Sequence, residues 1–213
     1  MKLFGYWRSS ASYRVRIALA LKGLDFDYEP VNLVKGEQKT ERYLAKNPIG
    51  LVPTLATDDG AFLNQSVAIM EYLEEAHPDP TILPGGAVER ANIRAIAATL
   101  ACEAQPFGNL RIQKYLREEI GLDEDAMSAW MNRWPGSAMA AVEKMVARTG
   151  GHFCVGDVPT MADCCLIPQM YGALRFGVDV SAMPKLNAIY ERCANHPAFV
   201  KAHPDNQIDA VKA

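Results

Sequence analysis

The sequence predicts an α/β domain followed by an all-helical domain within one chain of 213 residues. Three features carry that prediction. Short β-rich runs alternate with helical runs up to about residue 83. The stretch Pro78-Asp79-Pro80-Thr81-Ile82-Leu83-Pro84-Gly85-Gly86 then interrupts every periodic pattern with three prolines and two glycines. Beyond it the β signal disappears and only helical periodicity remains. The expected organisation is a first domain over residues 1–83, a linker over 78–87 and a helical domain over 88–213.

In the first domain, residues 2–6 read as a strand rich in apolar and aromatic side chains. Residues 13–21 read as a helix, with Arg14, Arg16 and Lys22 outward and Gly23 as its stop. A second β-rich run over 26–32 completes the order that builds a right-handed parallel βαβ unit. A short helix over 37–44 leads into Asn47-Pro48-Ile49-Gly50-Leu51-Val52-Pro53-Thr54-Leu55, which opens the third strand. Asp58-Asp59-Gly60 then signals a hairpin returning through 61–64. Ser66 begins a further helix over 67–76, stopped by His77-Pro78. The order β-α-β-α-β-β-α, with a proline opening the third strand, is that of a thioredoxin-like domain.

In the second domain, helices are expected over 89–104, 111–120, 124–148, 161–176 and 186–195, with Pro106 and Pro135 bending or ending those that hold them. Thr160-Met161-Ala162-Asp163 reads as a capping box of structural purpose, worth about 1 kcal/mol. Cys164 and Cys165 read as small apolar core residues of the same helix.

Composition narrows the function. Hydrophobic residues make up 49%, enough for a sizeable core, and a net charge of -3 gives no general attraction to nucleic acid or an anionic membrane. The first residues lack the apolar core of a signal peptide, and no run approaches the roughly 20 apolar residues that span a bilayer. Five cysteines without a C-x-x-C, and four histidines without metal-ligand spacing, argue against a disulfide scaffold and a zinc site. The expected location is the cytoplasm, with no metal, no nucleic acid and no membrane as partner.

The chemistry concentrates at Trp7-Arg8-Ser9-Ser10-Ala11-Ser12-Tyr13-Arg14, where strand becomes helix. Backbone N–H groups there lack intrahelical acceptors and carry the positive end of the helix dipole. Two hydroxyls and an arginine at that point suit an anion, including a thiolate; the same serines equally suit plain capping.

The segment Arg8-Ser9-Ser10-Ala11-Ser12-Tyr13-Arg14-Val15-Arg16-Ile17-Ala18-Leu19 strongly resembles the signature of the zeta class of glutathione transferases, best known for maleylacetoacetate isomerases. The resemblance runs on through Asn47-Pro48, Val52-Pro53-Thr54-Leu55, Gln65-Ser66, Gln105-Pro106, Gly156-Asp157 and Gln169 to Asp179. It implies a thioredoxin-like domain followed by the all-helical glutathione transferase domain, and reduced glutathione as cofactor. Ser9 and Ser10 would be catalytic, holding the glutathione sulfur as thiolate. Ser9, Ser10, Ala11, Gln38, Val52, a cis Pro53, Gln65, Ser66, Gln105 and Asn109 would bind glutathione. Ser66 could also cap its helix, and Val52 would pair with the tripeptide as a strand does. Arg8, Arg111 and Arg175 would bind the carboxylates of a dicarboxylic keto acid, although each also suits a solvated surface.

The implied reaction is glutathione-dependent cis–trans isomerisation of maleylacetoacetate to fumarylacetoacetate, or of maleylpyruvate to fumarylpyruvate, by a homodimer. A broad glutathione transferase or peroxidase, and a non-catalytic interaction module on the same fold, are the alternatives. Ala11 departs from the class, which usually has cysteine there, and this disfavours the dehalogenating activity of some members. Tyr13 replaces a commoner tryptophan.

Overall fold

The computed structural model describes residues 1–211. Contacts divide them into two compact units: Met1–Ile82 together with the segment from Asn195 onward, and Leu83–Ala194.

The first unit is built on four strands, β1 (Lys2–Gly5), β2 (Asp27–Pro30), β3 (Thr54–Ala56) and β4 (Phe62–Asn64), in the order β2-β1-β3-β4. β1 and β2 are parallel, whereas β1–β3 and β3–β4 are antiparallel. This is the thioredoxin-like arrangement. Alternation sends successive side chains of β1 to opposite faces. Leu3 pairs with Leu55 across β1 and β3, and both are fully buried. Phe4 joins Val31, Tyr43 and Val52 in a separate cluster. The expected hairpin closes between Thr57 and Ala61, with Gly60 at φ 90°, a conformation that glycine adopts without steric cost.

Helix α1 (Ser10–Leu21) starts three residues before the expected point, because Ser9 caps it. α1 packs against α3 (Ser66–Ala76), and Val15, Ile17, Leu19, Ile69, Met70 and Leu73 are all fully buried. One expectation fails here: Arg14, Arg16 and Lys22 do not point outward but are 2%, 1% and 4% exposed. The physical reason is that α1 is covered all round, so these side chains find their hydrogen-bond acceptors inside the unit. Arg14 donates to Ser66 Oγ at 3.3 Å. Lys22 Nζ donates to Glu74 Oε2 at 2.7 Å and to the carbonyls of His77 and Pro80 at 2.8 and 3.0 Å. The expected helix over 37–44 is broken into a 3₁₀ turn, Glu37–Lys39, and α2 (Glu41–Leu44), because Thr40 is extended at ψ 148°.

The second unit holds α4 (Ala87–Ala98), α5 (Leu110–Glu118), α6 (Glu124–Met131), α7 (Ser137–Thr149), α8 (Met161–Arg175) and α9 (Pro184–Cys193). Its centre is α8, with Met161 through Leu166 fully buried, Cys164 and Cys165 among them. α8 packs on α4 and α9. The capping box forms as expected: Asp163 accepts from Thr160 N–H at 2.8 Å and Thr160 Oγ at 2.9 Å. It also accepts from Cys154 N–H at 2.9 Å, a bond the sequence does not announce. Pro135 lies in a wide π-type turn, Asn132–Gly136, that divides the single helix expected over 124–148. A further helix, α10 (Pro197–Ala202), goes unread in the sequence and packs on α1 within the first unit.

Candidate functional site

Sheet register brings three loops of the first unit to one end of the sheet. β1 runs toward Ser9, and its Phe4 pairs with Thr54 at the start of β3. Thr54 also pairs with Asn64 at the end of β4. The loop of residues 6–9, the Val52-Pro53 step before β3 and the Gln65-Ser66 step after β4 therefore open at the same edge. Gln38 belongs to this neighbourhood, since its carbonyl lies 3.1 Å from where a Cβ on Gly50 would sit.

At the centre, Ser9 is half-buried and its Oγ accepts from Ser12 N–H at 3.2 Å. Capping engages only an oxygen lone pair. The hydroxyl proton stays available to donate. Ser9 N–H donates to the carbonyl of Tyr6 at 2.9 Å, which turns the chain into the helix. Ser10 and Ala11 are the first two helical residues, both half-buried.

The remaining first-unit residues each show a feature suited to a ligand. Val52-Pro53 is cis, and the N–H and C=O of Val52 carry no hydrogen bond among the described residues. Gln38 Oε1 is buried without a partner. Gln65 has φ 70°, the sole non-glycine positive φ among the described residues, in a region that bulky side chains rarely occupy. Gln65, not Ser66, is the cap of α3, and it caps without a side-chain bond. Ser66 is instead 5% exposed and its hydroxyl accepts from Arg14, since a buried guanidinium needs acceptors. The capping role expected for Ser66 is thereby corrected.

Arg8 is exposed, its guanidinium carbon 4.0 Å from the Trp7 ring centroid. In the second unit, Gln105 opens a 3₁₀ turn, Gln105–Gly108, and Asn109 caps α5 by accepting from Arg111 N–H at 3.1 Å. Arg111 stands exposed in the first turn of α5. Arg175 is the exposed last residue of α8, its guanidinium 4.8 Å from the Phe176 ring centroid. Among the described residues Arg8, Arg111 and Arg175 form no ion pair, so each guanidinium fork is open to an external carboxylate.

Behind the loop of residues 6–9 lies a network that sequence reasoning missed. Arg16 donates to the carbonyls of Trp7 at 2.9 Å and Ala202 at 3.0 Å. Burial pushes its guanidinium down from the ordinary arginine value, opposed by the fields of Tyr28, Tyr13 and Asp209. The available signal was the run Val15, Ile17, Ala18, Leu19 around it, which leaves α1 no polar face.

Residues 8–76 match the family model for the glutathione S-transferase N-terminal domain, and residues 111–203 the one for the glutathione S-transferase C-terminal domain. The chain is 46% identical to a maleylacetoacetate isomerase of Pseudomonas aeruginosa, over 100% of both proteins. It is similar to the holo structure of a maleyl pyruvate isomerase, a bacterial zeta-class glutathione S-transferase, with TM-score 0.95, 42% identity and coverage of 99% of this chain and 100% of that one. A maleylacetoacetate isomerase from Methylobacterium extorquens, solved with malonate and GSH bound, matches with TM-score 0.93 and 36% identity over 100% of both chains.

Proposed function

Since this chain belongs to the zeta class of the glutathione S-transferase family, we propose that it is a glutathione-dependent cis–trans isomerase of maleyl keto acids, acting on maleylacetoacetate or maleylpyruvate. The observation that carries the reading is Ser9: half-buried, at the start of α1, engaged as an acceptor and still free to donate.

The residues present fit glutathione. Gln38 offers a buried acceptor lacking a partner, and Val52 an unpaired backbone donor and acceptor beside the sheet end. Gln65 and Ser66 stand at the start of α3, where unpaired N–H groups favour a carboxylate. Ala11, Gln105 and Asn109 complete the proposed set. When bound, glutathione supplies the sulfur nucleophile that adds to the cis double bond, permits rotation and leaves again, so it is not consumed.

The chain's own part is electrostatic. Ser9 donates a hydrogen bond to the sulfur and so favours thiolate over thiol, while Ser10 and the N-terminus of α1 add a positive field. Arg8, Arg111 and Arg175 hold the two substrate carboxylates. Their charge also steadies the negative charge that builds on the substrate carbonyl oxygen. The Methylobacterium relative's structure holds malonate, a dicarboxylate, as well as GSH, which supports a dianionic substrate. The reading extends to a homodimer in the cytoplasm. All five cysteines are free thiols, in keeping with a reducing compartment.

The test is turnover of maleylacetoacetate and maleylpyruvate with glutathione, by the native chain and two Ser9 variants. Ser9→Ala removes donor and cap together and should lower kcat on the order of 100-fold. Ser9→Asp keeps an excellent cap, should unfold no earlier than the native chain, and should be inactive because a carboxylate repels the thiolate. Native turnover in Ser9→Ala, or no isomerisation of either maleyl acid by the native chain, would overturn the proposal.

A further inference from the structure

We propose that Asp209 is a positioning residue for the reaction: it holds the loop of residues 6–9 so that the Ser9 hydroxyl is aimed at the sulfur. The inference rests on the reading of Ser9 given above. It starts from the backbone groups of that loop, each of which needs a partner. The Trp7 carbonyl accepts from Arg16 at 2.9 Å, and the Tyr6 carbonyl takes Ser9 N–H at 2.9 Å. The Trp7 N–H is held from elsewhere, by Asp209 Oδ2 at 3.0 Å, 202 residues further along the chain. Asp209 Oδ2 also lies 3.5 Å from the Tyr28 hydroxyl of β2. Arg16 Nε completes the frame by donating to the carbonyl of Ala202 in α10.

Two charged groups therefore grip Trp7 from opposite sides, two residues before Ser9. One comes from the helix that Ser9 caps and the other from the segment following α10. The second grip is an uneconomical way to stabilise a fold. Asp209 Oδ1 is buried and has no partner, so the carboxylate loses hydration on that side without a compensating bond. A neutral acceptor would hold Trp7 N–H with less desolvation. What the carboxylate adds is a charge-assisted bond and attraction to the buried Arg16, and both restrict where the loop can move. The Trp7 side chain, 2% exposed, leaves little room for the loop to shift and recover the bond another way.

The experiment compares the full-length native chain with Asp209→Ala, Asp209→Leu, Asp209→Asn, Ser9→Ala and Thr57→Val. Ultraviolet difference absorbance gives the apparent pKa of the bound glutathione thiol; kcat, both KM values and thermal unfolding are also measured. Asp209→Ala and the volume-filling Asp209→Leu should each raise the thiol pKa by about 0.5–1 unit. On the acid side of the profile, kcat should fall about 3- to 10-fold with substrate KM unchanged. Asp209→Asn keeps an acceptor for Trp7 N–H but loses the charge, so its thiol pKa and kcat should fall between those of the native chain and those of Asp209→Ala. Thr57→Val, which disturbs the distant hairpin turn, should lower the unfolding midpoint without moving the thiol pKa. Should either acceptor-less variant unfold earlier yet keep the native thiol pKa and kcat, Asp209 is structural only and the positioning role is overturned. Should Ser9→Ala titrate like the native chain, the reading of Ser9 itself fails, an outcome separable from the first because it does not involve Asp209.

Discussion

Replacing Asp163 by alanine tests how much of the helical unit hangs on one side chain. Asp163 and Thr160 are both fully buried, and the carboxylate accepts from Cys154 N–H, Thr160 N–H and Thr160 Oγ at 2.9, 2.8 and 2.9 Å. Truncation strands two backbone N–H groups away from water, at about 1–3 kcal/mol each. Against that, the variant no longer buries an acid: desolvation pushes the Asp163 carboxyl up despite its hydrogen bonds, so part of the loss is returned. The net expectation is about 3 kcal/mol, well above the roughly 1 kcal/mol of an ordinary cap. Thr160→Ala, which leaves both backbone donors satisfied, should cost about 1 kcal/mol.

The assay is urea unfolding followed by far-ultraviolet circular dichroism, with tryptophan emission reporting chiefly on Trp130 and Trp134 of the second unit. Asp163→Ala should also lower the thermal midpoint by about 6–12 °C. An Asp163→Ala variant within 1 kcal/mol of native, or a Thr160→Ala variant costlier than it, would refute the argument that the bond to Cys154 ties the preceding loop to α8. That measurement separates a local cap from a tertiary tie.

Lys22→Met should destabilise by about 3–5 kcal/mol, because it leaves the Glu74 carboxylate buried beside an empty cation position; a loss below 1 kcal/mol in urea unfolding would contradict this. Burial alone would raise the Glu74 carboxyl, but hydrogen bonds from Lys22, Thr81 and Ile82 N–H, with the charge of Lys22, bring it below the ordinary glutamate range. Its stabilisation is thus complete above the unfolded value of about 4.3 and lost as pH falls through the lower folded value; Glu74→Gln should flatten the urea midpoint against pH in that window, and parallel curves would exclude the effect. Gln38→Ala should raise the KM for glutathione about 5- to 10-fold with kcat little changed, and an unchanged KM would remove Gln38 from the site.

What the sequence made legible was local. The Asp-Gly hairpin and the Thr160–Asp163 box each depend on a few adjacent residues, and both formed as expected. Arg14, Arg16 and Lys22 were misread because a charge on a helix is assumed to seek water. Here the helix is enclosed, and the acceptors come from Ser66, Trp7, Ala202, Glu74, His77 and Pro80, up to 186 residues away. The segment from Asn195 onward was read as part of the helical domain but packs with the first unit, through Arg16 to Ala202 and Asp209 to Trp7. The positive φ of Gln65 carried no signal, since such a conformation in a residue other than glycine is imposed by its surroundings.

The candidate site was legible for a different reason. Capping and thiolate binding draw on one resource, the unpaired N–H groups at the start of α1, so a motif read as a cap is already half a binding site. Serine at position 9 serves both needs because its oxygen accepts from Ser12 N–H while its proton is left to donate; aspartate could do only the first. The residue type at the junction, more than the helix behind it, separates a structural cap from a group able to hold an ionised sulfur. Asp209 and Arg16 then have a role no local motif could announce, because the direction of that one hydroxyl is fixed by backbone groups two and three residues before it.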